Sequence, residues 1–347
     1  INAGVPRYSD LEQEHLSPVD EKINEDMLTL VVKTTESDVN IALSARHEVK
    51  GLRASGVGRT RSSGKAWLSE TFEYKAEEGQ EVVVEKLTAI FTSQDPGITN
   101  PVLESEKTVV SMNSYQEAFS ASAGRWAEIW KEIDIRLAGD REVQKLLRLH
   151  LYHMMVTASP HHARLDTGIP PRGLHGEAYR GHIFWDELYI LPLYNLHYPE
   201  VARSSLMYRY RRLEKARAYA KEYGYRGAMF PWQSGSDGRE ETQVVHLNPL
   251  SGEWGDDYSS LQRHVSLAIA YNTWDYYRKN QDQVFMNEYG AEMFLDICKF
   301  WDSKTVKDEA DGRYHIGKVM GPDEFHEKLP GAEEGGLRDN AYTNIMV

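Results

Sequence analysis

The chain has 347 residues, 41% hydrophobic and 11% aromatic, enough for more than one ordinary domain with a real core, so disorder is not the starting expectation. A formal charge of −13 without any long Lys/Arg run argues against nucleic acid or an anionic membrane as the main partner and favours neutral polar ligands. Cys298 is the single cysteine, which excludes a disulfide within the chain, disfavours a Cys-based zinc site and points to a reducing, cytoplasmic compartment. No run of about 18 apolar residues could span a bilayer and no signal-like segment opens the chain. The first residue is Ile, and Asn344-Ile345-Met346-Val347 reads as the opening of a helix, so a fragment cut at both ends is expected.

Short β-rich runs come first, at Met27 to Thr34, Val39 to Val49, Ala66 to Tyr74 and Gln80 to Thr92, separated by turn-rich pieces such as Asp95-Pro96-Gly97. They predict an antiparallel sheet or sandwich. Gly56 to Lys65 superficially suggests a phosphate-binding loop, but five residues separate Gly58 from Gly64 where four are needed, and Ala66 stands in place of Ser/Thr. A strand-connecting loop is expected there. Near residue 112 the character changes: Tyr115, Phe119, Ala123, Trp126, Trp130 and Ile133 recur at steps of three or four, predicting a linker helix or a pair.

Further helices follow. Val143, Leu146, Leu147, Leu151, Met154 and Met155 mark one, and the apolar stretch from Ile183 to Leu196 a buried second. A third opens at Pro199-Glu200, runs through Leu206, Tyr210 and Leu213, and stops at Gly224. A fourth starts with the capping-box pattern Ser259-x-x-Gln262 and carries Leu261, Val265, Ala268 and Tyr276. A fifth holds Phe285, Tyr289, Met293, Ile297 and Trp301, and a sixth begins near Asp339. The long loops between them, rich in Gly, His, Trp and acids, are of a length usually reserved for function. No HExxH, EF-hand or GxSxG pattern occurs, and His161-His162 and His326-Glu327 read as solvated loop residues rather than metal ligands.

Four of these segments carry side chains suited to sugars. In His175 to Glu187, Phe184 and Trp185 precede Asp186 and Glu187; sugar rings stack on aromatic faces while carboxylates accept from hydroxyls. The plainer reading makes both aromatics core residues entering a helix capped by Asp186, and core suits Phe184 better than Trp185. Phe230 to Thr242 offers Trp232, Gln233 and two acids, although an ordinary solvated loop fits the spacing equally well. Gln262-Arg263-His264 places a His in the first helical turn, where it could face a cleft; alone it would more often be structural. In Val319 to Glu327, Pro322 fixes its own φ and pushes Gly321 out of the helical region, delivering Asp323, Glu324 and Glu327 with His326 beside Phe325. Partial burial of Glu324 against that aromatic would raise its pKa, as a glycosidic general acid requires; an exposed acidic turn is the bland alternative.

Taken together, Asn2 to Tyr8, Gly181 to Glu187, Phe230 to Gln233, Gly321 to Glu327 and Asp339 to Asn344 resemble, in order, glycoside hydrolase family 65, which contains the inverting phosphorylases of maltose, trehalose and kojibiose. The resemblance implies a partial N-terminal β-sandwich in 1–112, a helical linker in 113–139 and about half of an (α/α)6 catalytic barrel in 140–347. It makes Glu324 the general acid and Trp185, Asp186, Trp232 and Gln233 part of the pocket for the glucosyl unit, with Glu241, His264 and Asp323 completing the expected substrate-binding set. It implies no cofactor and no metal, only inorganic phosphate as co-substrate with an α-linked disaccharide.

Gln233 departs from the maltose and kojibiose phosphorylases, which have Glu there, and Glu187 directly follows Asp186 where many relatives have Thr and then Glu. Gln-bearing relatives include chains fused to a phosphatase-like domain, leaving substrates related to trehalose or its phosphate open, together with such a fusion and a homodimer. The implied reaction is proton donation from Glu324 to the leaving sugar while phosphate attacks the opposite face, releasing β-glucose 1-phosphate. An inverting hydrolase, with two carboxyls roughly 6.5–9.5 Å apart, is the alternative, and a non-catalytic sugar-binding module the third. In the family the phosphate site lies downstream of the Asn-Ala-Tyr-Thr-Asn motif. Five helices and the start of a sixth are half a toroid, so these 347 residues alone should expose apolar surface, bind a hydrophobic dye and be inactive.

Overall fold

Alternating apolar and polar residues in 28–50 and 83–92 build the first sheet. The computed structural model describes residues 14–173, 179–248, 250–322 and 327–347, which divide between Ile133 and Asp134 into two compact units. In the first, strands β1 (Leu16–Ile23), β2 (Leu28–Thr34), β3 (Asn40–Lys50) and β6 (Val83–Thr92) form an antiparallel sheet in the order β1-β2-β3-β6. Pro18, which cannot donate to a ladder, lies on the edge strand β1, where the register slips between Pro18 and Asp20. One face carries Thr29, Val31, Ala42, Ser44 and Ala89, all buried, and is covered by helix α1 (Pro101–Ser111). There a chain of hydroxyls joins Thr29 to Ser44 at 3.0 Å and Ser44 to Ser105 at 2.8 Å.

Strands β4 (Val57–Gly64) and β5 (Trp67–Tyr74) form a separate hairpin closed by the pair Gly64 and Trp67; the Gly-rich stretch expected to be a strand-connecting loop is itself strand β4, because its residues pair one by one with β5 and its Arg59 and Arg61 reach Glu70 across the ladder. The sequence reading placed no helix before residue 112, yet α1 lies there. Its start is capped by Asn100, whose side chain accepts from Val102 and Leu103 N–H, with Pro101 in the first turn. The stripe beginning at Tyr115 forms a single helix, α2 (Tyr115–Ile133), in which only Ile129 and Ile133 are buried.

The second unit is helical. Helices α3 (Arg141–Thr157), α4 (Glu187–His197), α5 (Pro199–Arg211), α6 (Leu213–Glu222), α7 (His264–Asn280) and α9 (Ala291–Lys304) make its bulk. A short α8 (Gln283–Phe285), capped by Asp282, runs through one π turn (Met286–Gly290) into α9. Two expectations fail here. The helix from Pro199 to Gly224 is broken at Arg212, whose side chain turns away to Asp166 and to the carbonyls of Tyr208 and Ser236. The capping box at Ser259 does not form: Ser259–Leu261 is a single 3-10 turn without a side-chain cap, and α7 starts later, at His264.

The core gathers Ala216 and Ala220 of α6, Val265 and Ile269 of α7, and Met293, Ile297 and Phe300 of α9 around Met229 and Phe230. Segment 227–230 threads between these helices: Ala228 N–H donates to Asp296 O, Met229 N–H to Ala216 O and Phe230 N–H to Ser266 Oγ. Gly227 makes the entry with φ +70°; a Cβ there would lie 2.2 Å from Asp296 O. Two small hairpins complete the unit, β7 (Val245–Leu247) with β8 (Trp254–Asp256) and β9 (Thr305–Lys307) with β10 (Tyr314–Ile316). Helix α10 (Ala341–Met346) is capped by Asn340, whose side chain accepts from Thr343 N–H. Tyr189, Leu196, Leu295 and Ile345 leave apolar surface open, at 58–83% exposure. Among the described residues no helix is long and apolar enough to cross a membrane.

Candidate active site

A β-bridge brings two of the four sugar-type segments together. Ile183 N–H donates to Ser234 O at 2.9 Å and Ser234 N–H returns to Ile183 O at 3.0 Å. Trp185 and Trp232 therefore approach to 6.4 Å between ring centroids, with Phe184 edge-on to Trp232 at 5.3 Å. His264, at the start of α7, packs on both, 4.7 Å from Trp185 and 5.2 Å from Trp232. Tyr342 of α10 closes the group at 5.9 Å from His264 and 6.0 Å from Trp185. These four rings form one wall.

The wall is drier than the sequence suggests. Trp185 is 6% exposed, little more than Phe184 at 4%, so both aromatics are core residues and the difference expected between them is small. His264 is 1% exposed, and burial pushes its imidazole down to about 4, leaving it neutral at physiological pH. It therefore acts behind the indoles. The half-buried groups at the rim are Asp186 and Gln233. Asp186 makes no capping bond to α4 through its side chain, contrary to the plainer reading of that residue. Gln233 Oε1 lies 3.1 Å from His182 Nδ1, which must be the donor because an amide oxygen only accepts.

The two neighbouring acids part company. Glu187 is buried at 3%, its Oε2 taking Arg209 Nε at 3.0 Å, while Arg209 Nη2 also donates to Phe184 O at 2.7 Å. Burial pushes the Glu187 carboxyl up and Arg209 draws it back. The pair fixes α5 to the backbone that carries Trp185. Glu241, expected to bind substrate, is half-buried and lies 4.0 Å from Arg239. Its neighbour Glu240 is the acid drawn into the loop, accepting from Trp232 N–H at 2.8 Å and Gln233 N–H at 3.1 Å. A cavity of about 450 Å³ opens on the side of Tyr219, Tyr223, Arg239 and Glu240, and none of the four wall residues lines it.

Asp323 and Glu324, with His326, lie outside the described residues. The segment leading to them is firmly held: Val319 and Met320 are buried, Val319 bridges Leu337, and Met320 N–H donates to Leu261 O at 2.9 Å, three residues before His264. Asp339, left-handed at φ +58°, accepts from Ile316 N–H and from His315 Nδ1 at 2.7 Å; although burial opposes it, these bonds hold its carboxyl below the usual range. This anchors the start of α10 and so Tyr342.

Among the described residues one group has metal-type spacing, Asp308, Asp311 and His315, with ligand atoms within 4.8 Å of one another. Asp308 and Asp311 accept the N–H groups of Ala310 and Arg313, which makes them turn formers of the β9–β10 hairpin. His162, expected to be solvated, is 7% exposed with Nε2 3.2 Å from Thr167 O. Sequence reasoning missed Tyr342, whose motif was noted without a role, and Glu240, for which the available signal was the pair of acids in a turn-prone loop.

Indoles flanked by carboxylate and amide groups are side chains suited to carbohydrate. The description of the glycosyl hydrolase family 65 central catalytic domain matches residues 148–347 and that of the family's N-terminal domain residues 1–129. The chain belongs to glycosyl hydrolase family 65. It is 42% identical over 351 residues to an uncharacterized glycosyl hydrolase of Mycobacterium tuberculosis, covering 100% of this chain and 26% of that protein. It is 40% identical over 350 residues to the trehalose 6-phosphate phosphorylase of Lactococcus lactis, covering 100% and 44%, and 35% identical over 291 residues to the kojibiose phosphorylase of Caldanaerobacter subterraneus, covering 80% and 35%. A solved structure of a candidate kojibiose phosphorylase from human microbiome superposes with a TM-score of 0.75 at 24% identity, over 96% of this chain and 41% of that one, which shows the shared fold. The chain thus spans between a quarter and a half of the length of these proteins.

Proposed function

We propose that this chain supplies the glucosyl pocket and the proton donor of an inverting phosphorylase of α-glucosidic disaccharides, with its helical unit forming the first half of an (α/α)6 barrel. The observation that carries the reading is the four-ring wall of Trp185, Trp232, His264 and Tyr342, tied through Met320 N–H and Leu261 O to the segment that leads to Glu324. Further support comes from the phosphorylases among its relatives. In this reading Asp186 accepts from sugar hydroxyls, and Gln233, its oxygen already engaged by His182, offers its amide N–H2 to a substrate oxygen. Asp323 and Glu241 take supporting places in the same pocket. Glu324 protonates the glycosidic oxygen as inorganic phosphate attacks the opposite face of the anomeric carbon. The bond to the acceptor sugar breaks with its electron pair leaving on that oxygen, and β-glucose 1-phosphate forms without metal or cofactor. The setting is a reducing cytoplasm.

The test is incubation of the full-length protein that contains this chain with trehalose, kojibiose, nigerose, maltose and trehalose 6-phosphate, with and without phosphate, assayed for β-glucose 1-phosphate. Phosphate-dependent product from one of them is expected. A Glu324→Gln variant should lose at least about 100-fold in kcat, the usual worth of a general acid. Release of free glucose at equal rate without phosphate would make the protein a hydrolase, and an undiminished Glu324→Gln variant would remove the acid assignment.

A further inference from the structure

We infer that Glu240 is the positioning residue that sets the direction of the Trp232 ring and the Gln233 amide, a role that rests on the functional reading above. Trp232 and Gln233 belong to no helix or strand ladder, so their N–H groups need acceptors from elsewhere. One carboxylate supplies them. Oε2 takes Trp232 N–H at 2.8 Å, and Oε1 takes Gln233 N–H at 3.1 Å, Thr242 N–H at 3.2 Å and Thr242 Oγ1 at 2.6 Å. The far side of Oε2 receives Tyr219 O–H at 3.2 Å, and Tyr219 in turn accepts Arg263 Nη1 at 2.8 Å. Arg263 is 3% exposed and lies over the rings of Tyr219 and Tyr223 at 5.1 and 4.9 Å. Its neighbour in sequence is His264, the ring behind the wall.

Glu240 thereby ties three elements, α6 through Tyr219, the start of α7 through Arg263, and the loop itself. Among the described residues both carboxylate oxygens meet donors alone, which a carboxylate satisfies and an amide cannot: Gln at this position would aim an N–H2 at the N–H of Trp232 or at those of Gln233 and Thr242. A packing role would tolerate Gln; an acceptor role would not. Since displacement of a pocket wall by about 1 Å can cost on the order of 100-fold, the consequence should appear in glucosyl binding.

The experiment compares wild type, Glu240→Gln, Glu240→Ala and Tyr219→Phe by equilibrium binding of glucose, by KM and kcat for phosphorolysis, and by the emission of Trp232, isolated as the difference from a Trp232→Phe background. Both Glu240 variants should weaken glucose binding and raise KM by about 10- to 100-fold with a smaller change in kcat, and should red-shift the Trp232 emission. Tyr219→Phe should move the same quantities in the same direction by about threefold, and acetate should restore binding to Glu240→Ala but not to wild type. Glucose binding and Trp232 emission of Glu240→Gln equal to wild type would overturn the inference. If wild type itself binds no glucose, the functional reading fails, and the emission of Glu240→Gln still decides whether Glu240 sets the Trp232 ring. Should Glu240→Ala not fold, the Glu240→Gln and Tyr219→Phe results decide alone.

Discussion

The sheet unit and the helical unit bury different things. Beneath α1 the sheet buries short hydroxyls, Thr29, Ser44 and Ser105, satisfied by one another, and the buried carboxylate of the β4–β5 hairpin, Glu70, is met by the side chains of Arg59, Arg61 and His47 rather than by loop backbone. The helical unit buries Glu187, Arg209, Arg212, Arg263, Asp275, Asp296 and Lys304. A buried charge costs less when it is paired or hydrogen-bonded, and several of these charges find partners on loop backbone. Arg209 holds Phe184 O, Arg212 holds Ser236 O, and Arg263 reaches the 232–233 backbone through Tyr219 and the half-buried Glu240. A ladder satisfies its own backbone groups; a loop inside a helical unit cannot, and charged side chains stand in for the missing strands. The segments they anchor are those that carry the indoles.

That contrast can be broken at its strongest point. Arg209→Ala leaves Glu187 buried without its partner and should lower the unfolding free energy by about 3–5 kcal/mol in urea titration. A loss below about 1 kcal/mol would show that the buried charges of the helical unit matter no more than surface pairs. His264 gives the next largest effect. Its folded pKa of about 4 lies below the unfolded value, so the unfolded chain binds the extra proton between them. Stability from this residue is complete above about pH 6.5 and falls by about 3 kcal/mol as pH drops towards 4. A His264→Phe variant should lack that part of the acid slope; parallel curves for the two proteins would contradict it. The sheet unit supplies the smallest effect. Ser44→Ala removes the middle hydroxyl of a neutral chain and should cost about 1 kcal/mol by the same titration.

Much of this was legible in the residues. Period-two runs gave β2, β3, β5 and β6, and steps of three or four gave α2, α3, α7 and α9, because burial on one face imposes those periods. The segments around Trp185 and Trp232 belong to one family pattern in the sequence, and the structure joins them through the Ile183–Ser234 bridge. What escaped depended on partners distant in sequence. Glu187 looks like a second rim acid until Arg209 folds back on it, and Glu240 and Glu241 differ only in which one the loop turns inward. Arg212 sits in a continuous helical pattern, and nothing local says that its guanidinium will leave for Asp166 and Ser236. The start of α1 was missed for a different reason: Asn100-Pro101 is a sufficient local signal, overlooked beside a run of strands.

The composition of the aromatic wall also sets an order of assembly. Trp185 and Tyr342 stand about 160 residues apart, and at a synthesis rate of ~5–20 residues per second roughly 10–30 s pass between them. Through that interval Trp185, joined in turn by Trp232 and His264, lacks its last neighbour. The wall is therefore finished from its far end, and a nascent chain halted before Asn340 would hold it without its fourth ring.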